Sequence, residues 1–394
     1  MLRTIIGAAA LVMVISVFGQ DAPTFRVEQY HQTVADDAVK LTADETKLIS
    51  SVEETWRKLD AAVPVFDNNI ALACRQMCRV LDCTDIEGIH AWEPRTIQFT
   101  LRAFGITDAF YFPLVARVTD AADAEALLTS LVKKELQTLG VNRFGLALDL
   151  DGRGMLAAVF TKRLVQLGPF PREVEPGSTH LLWGGMQKGT SQPQFILSTP
   201  DGAVFQQAPE ETRGLLWNSV YFPEEPGEYV LELMVHQDGP QVASLFPVYV
   251  GQQAPIRPVF KLYPGIDESA DAQGLEGQFG GLINRERRKR KMPECNLHPS
   301  LVTDARRYSR VMADNGRLSH ALSRVDQVSV DYTENISLST SVHAAHGNLM
   351  SSPSHRRNIL DTSVQFCGVG VVAVSKGDKG RLLYVTQRFS RNKP

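Results

Sequence analysis

SSPSHRRNIL, residues 351–360, decides how the rest of the chain is read. Ser352-Pro353 opens a helix, because proline's fixed φ suits the first helical position. His355 then falls in the first turn, beside Arg356 and Arg357 and ahead of the apolar pair Ile359-Leu360. A solvated surface helix has no need of that combination. A metal site or an anion site does. Five of the nine histidines lie in the same stretch of chain: His298, His320, His343, His346 and His355.

The neighbouring motifs narrow the choice. GRLSH places His320 at or just past the end of a helix that begins near Leu301, and YTENIS sets Glu334 before an apolar residue. In order along the chain stand GLINRERRKRKMPECNLHPSLVTDARRYSRVMA, LSH, ENIS, SSPSHRRNIL, CGVGV and LYVTQRFS. This series resembles the bacterial, SCP-like branch of the CAP superfamily, whose relatives are cysteine-rich secretory proteins, antigen 5 and plant pathogenesis-related proteins. The resemblance covers residues 272–394. It implies an α-β-α sandwich, export, and a cleft whose histidines and acids can bind a divalent metal. On the matching positions these are His320, Glu334 and His355, with Arg356, Asn335 and Gln387 as ligand-binding candidates.

That chemistry suits these residue types. Two neutral imidazoles can hold Zn2+ and leave positions for water or a ligand carboxylate. Glu334 is either a third ligand or a carboxylate behind one, the second role suiting a general base in a hydrolase. Arg356 and Arg357 either bind an anionic group or pin their helix. The animal members carry a second glutamate on the helix before the second histidine. Here that stretch reads STSVHAAHGNLMSS and has no acid. His343 or His346 could substitute for it, although exposed helix positions are expected for both. The leading expectation is therefore binding without turnover, the alternatives being a zinc-dependent hydrolase using the same cleft and a non-catalytic interaction scaffold.

Composition sets the compartment. The 394 residues are 43% hydrophobic and 22% charged, enough for two to four ordinary globular domains. MLR followed by the apolar IIGAAALVMVISVF reads as a signal peptide over residues 1–19, too short for a membrane span. No other stretch is long and apolar enough to cross a membrane, so the mature chain is expected in the periplasm or outside the cell. In that setting cysteines pair: of the five, one disulfide is expected within Cys74, Cys78 and Cys83 and a second between Cys295 and Cys367, leaving one thiol over. From residue 270 onward there are 19 Lys and Arg against 11 Asp and Glu, whereas the remainder carries 22 against 33. The basic end is suited to an anionic envelope polymer or lipid, or to its own acidic neighbour. The run RERRKRK, residues 285–291, reads as a solvated helix end. It lacks interleaved aromatics, and nucleic acid is not expected as a partner.

The expected fold class is α+β in three domains after a polar leader, 20–45. Helical periodicity in IALACRQMCRVL and AEALLTSLVKKEL, then two strands around DGRG, define a first domain at 46–168. Short strands with Pro/Gly turns, including EYVLELMV with Tyr229, Leu231, Leu233 and Val235 on one face, give an Ig-like β-sandwich at 169–252. A linker at 253–271 leads to the last domain. Its end repeats the first domain's end: Phe144-Gly145 falls beside Cys367-Gly368, and Val159-Phe160-Thr161-Lys162-Arg163 beside Tyr384-Val385-Thr386-Gln387-Arg388. The helix IALACRQMCRVL matches LVTDARRYSRVM. An ordered series of this kind indicates a degenerate first copy, one without SHRRNIL or ENI and so without metal.

Overall fold

The computed structural model describes residues 30–31, 39–83, 94–152, 154–237, 239–258, 263–316, 318, 320, 332–375 and 381–394. The apolar run proposed as a signal peptide lies outside them, as does the side chain of Cys83. Among the described residues no helix is long and apolar enough to cross a membrane.

The last unit is built around the strands Asn296–Leu297, Phe366–Ser375, Arg381–Ser390 and Tyr332–Ser339, hydrogen-bonded in that order. Alternate residues of these strands enter two separate cores, as period-two strands covered on both faces must. Val369, Val371, Leu383 and Val385 pack with Leu275, Phe279 and Ile283 of helix Ala272–Lys289 and with Val342 and Leu349 of helix Val342–Ser351. Val372, Tyr384 and Ile336 face Tyr308 and Met312 of helix Pro299–Asp314. The result is an α-β-α sandwich.

The first unit has the same plan. Its strands Val65–Phe66, Arg143–Asp149, Met155–Lys162 and Phe110–Arg117 pair in the same spatial order, the first pair parallel and the others antiparallel in both units. Met155, Ala157 and Val159 face one helix layer, and Leu156, Ala158 and Phe160 the other. A shared close approach fixes the correspondence. A Cβ on Gly145 would lie 2.4 Å from Ala71 N, and one on Gly368 would lie 2.5 Å from Val302 N. Ile70 thus matches Leu301, as the helix alignment expects. The strand register differs from the sequence match, however. Gly145 opposes Val159 and Gly368 opposes Arg388, so Val159 corresponds to Arg388 and not to Tyr384. The later hairpin is longer, with strands of 10 residues against 7 and 8, which shifts a match drawn from the sequence alone.

Between the two units lie a five-stranded sheet and a four-stranded sheet, enclosing one core that includes Tyr229, Leu231, Leu233 and Val235. Val165–Leu167 is a strand of the four-stranded sheet, so the sandwich begins before the Pro/Gly-rich stretch. Part of the leader is packed: Tyr30–His31 pairs with Phe170–Pro171, and buried His31 donates from Nε2 to the Pro247 carbonyl at 2.8 Å.

Several expectations need correction. Arg287, in the run read as a solvated helix end, is fully buried and donates to the carbonyls of Pro293, Ile359, Asp361 and Val364. His346 is buried against Tyr263 at 4.9 Å, and His343 is half-buried, stacked on the same ring at 5.9 Å. Cys74 and Cys78 are free, one helical turn apart and turned into the core, where burial pushes the Cys78 thiol up to about 12. Cys295 and Cys367, expected as a pair, are brought together, with their sulfurs 2.8 Å apart.

Candidate functional site: a histidine-carboxylate cleft

The cleft lies along Tyr332–Ser339, an edge strand of the last sheet. Alternation turns Glu334 toward one helix layer and Asn335 toward the other. Each residue organises one side.

On the first side, Glu334 pairs across the strands with Arg388. Its Oε2 accepts from Arg388 Nε and Nη2, both at 3.2 Å, while its Oε1 is 3.0 Å from His320 Nδ1. Arg388 is buried, with its guanidinium 4.4 Å from the Tyr332 ring centre and an Nη1 3.6 Å from Asp304. Two carboxylates and an aromatic face compensate the buried cation. His320 is exposed, beyond the helix that ends at Asp314 with its cap at Asn315.

On the second side, buried Asn335 donates to the His355 carbonyl at 3.0 Å and to Gln387 Oε1 at 3.2 Å, and accepts from Asn358 at 2.8 Å. These bonds fasten the helix Pro353–Ile359, and with it His355, to the edge strand. The His320 and His355 ring centres are 6.5 Å apart and tilted by 31°. Burial, with His320 beside it, lowers the His355 imidazole to about 3, so the ring is neutral at ordinary pH. Neutral imidazole is the form that binds metal.

Of the residues expected at the site, the structure brings His320, Glu334 and His355 together. Asn335 and Gln387 are wholly buried behind them. Arg356 points away, donating to Ser198 Oγ of the sandwich at 3.1 Å, and Arg357 donates to Gln206 at 2.5 Å. Ser352, at the start of the same helix, donates to buried Glu232 of the sandwich at 2.5 Å. The cations beside His355 therefore dock a neighbouring domain. Arg388 and Glu232 escaped the sequence reading. LYVTQRFS carried the strand but not the guanidinium's role, and Glu232 falls on the face of EYVLELMV opposite Tyr229, Leu231, Leu233 and Val235, where alternation alone names no partner.

The donor set suits a cation held by two histidines, with water or ligand completing its shell. Both Glu334 oxygens already have partners, which places this carboxylate behind His320, fixing its ring. Among the described residues no group of three or more His, Cys, Asp or Glu converges on one point.

Residues 281–389 match the cysteine-rich secretory protein family, CAP. Partial likenesses exist to three solved bacterial structures. An outer surface protein from Borrelia burgdorferi is 16% identical over 31% of this chain and 97% of its own, with a TM-score of 0.27. An extracellular protein containing a SCP domain from Bacillus anthracis is 18% identical over 43% of this chain and 65% of its own, at 0.27. A cysteine-rich secretory protein from Staphylococcus aureus is 10% identical over 54% and 77%, at 0.24. Likenesses of this size say nothing of ligand or activity. No curated protein matches the chain. The family match spans every residue of the cleft, and the C-terminal unit is a CAP domain.

Proposed function

We propose that the protein is exported and binds a cell-envelope or extracellular ligand, a lipid or wall polymer, through the cleft between His320 and His355. The observation that supports this most directly is the engagement of Glu334. One oxygen meets His320 and the other meets Arg388, so the carboxylate has a positioning role and no proton-accepting oxygen left without a partner. His320 and His355 would hold a divalent cation, whose chemistry is to offer open coordination positions to a ligand oxygen. The first unit is read as a structural copy without this chemistry: Pro113 opposes Val159 where Glu334 opposes Arg388.

The rival reading is a metal-dependent hydrolase with Glu334 as base. Glu334→Gln separates the two. On the binding reading, envelope lipid and wall polymer stay intact with the parent protein and the variant alike, and the variant's zinc affinity falls about 10-fold to 100-fold. Turnover by the parent that Glu334→Gln abolishes, with zinc still bound, would establish the hydrolase.

A further inference from the structure

The four-stranded sheet of the sandwich has an outer face unlike an ordinary solvated one. Strands Thr179–Met186 and Leu215–Tyr221 are paired so that Trp183 stands directly opposite Trp217. Trp183 is 50% exposed, and its outward neighbours Leu181, Leu215 and Tyr221 are 57%, 54% and 54% exposed. Beneath Trp183 lies Gly168, where any Cβ would come within 2.2 Å of the indole carbons. One face of the ring is thus laid on bare backbone and the other is left to solvent. The edge of Trp217 is fixed as well, Nε1 donating to Glu210 at 3.0 Å. The two indoles form a prepared, shallow platform.

We propose that this platform binds a neutral polysaccharide, its sugar rings laid on Trp183 and Trp217. The axial C–H groups of a pyranose carry partial positive charge and meet the negative face of an aromatic ring, while its hydroxyls hydrogen-bond at the rim. The rim supplies the Glu210 carboxylate and the Ser219 hydroxyl. The electrostatics select the occupant. The outward positions of the two central strands carry no Lys or Arg, and Glu210 borders the indoles. An anionic polymer or an anionic lipid surface would be repelled, whereas a neutral hydroxyl-rich chain meets no opposing charge. The rings are also held in place before binding, which lowers the ordering cost of a repetitive ligand. This site is independent of the histidine cleft.

The test is co-sedimentation of the full chain with insoluble chitin and cellulose, alongside tryptophan fluorescence with their soluble oligosaccharides. Trp183→Ala and Trp217→Ala should each weaken binding about 10-fold, Trp183→Phe should retain most of it, and His355→Ala should bind as the parent does. Trp183 is exposed and Trp217 half-buried on this outer face, and far-UV circular dichroism with the thermal midpoint checks that the variants fold. Failure of the parent to bind either polymer, or equal binding by the alanine variants, overturns the proposal. So does a concentration-dependent dimer lost in Trp183→Ala, which would assign the face to a second copy. Preferential binding to phosphatidylcholine vesicles would assign it to lipid and overturn the proposal equally.

Discussion

Arg388 holds the cleft together from beneath. Its guanidinium compensates Glu334 and Asp304 and lies over Tyr332, so its loss removes the buried cation that the two carboxylates share. Breaking a mostly buried pair from one side costs about 3–5 kcal/mol. Arg388→Ala is expected to approach that loss in urea unfolding, with Arg388→Lys recovering only part, since one ammonium cannot replace the planar fork. Equal stability of Arg388→Ala and the parent would remove the arginine from this role. SHRRNIL and ENI pointed to His355 and Glu334 through their resemblance to the CAP motifs. Arg388 was hidden because its partners, Glu334 at 54 positions and Asp304 still further along the chain, meet only through the sheet.

At the scale of elements, the helices were legible from their three- and four-residue spacing and the strands from alternation. The hairpin register was not, because the later hairpin's longer strands, 10 residues against 7 and 8, displaced the repeat. The glycines correct it. Gly145 and Gly368 each let a helix backbone come closer than any side chain permits, at matching points of the two units. Gly145→Ala and Gly368→Ala should each cost about 1–3 kcal/mol, the range for forced overpacking. Thermal unfolding would check it, and an unchanged midpoint in either variant would show that the approach can relax.

At the scale of the whole molecule, the charge imbalance along the chain has a visible outlet. Arg290 donates to the Asp201 backbone carbonyl, Arg356 to Ser198 and Arg357 to Gln206 of the sandwich, so part of the basic end faces its own neighbour. Glu232 lies within that contact, buried and bonded to Ser352, with Arg357 partly offsetting its charge. Burial raises its carboxyl above the ordinary range. The native state then holds this proton more tightly than the unfolded chain, and stability falls as pH rises from the unfolded value of 4.5 through the raised native one. Glu232→Gln keeps an acceptor for Ser352 and removes the charge. It should match the parent near pH 4 and exceed it in thermal stability at pH 7, whereas a lower midpoint at pH 7 would contradict the burial argument. The other junction is also polar and buried: Arg163 bridges Asp108 and Asp67, beside the Asp108–Ser244 contact with the sandwich.

The central claim is that His320 and His355 together make a cation-binding cleft, with Glu334 behind them. A calorimetric zinc titration of the full chain, beside His355→Ala, tests it most directly. The account predicts one zinc bound per chain by the parent and loss of that binding in the variant. No binding by the parent, or equal binding by both, would contradict it.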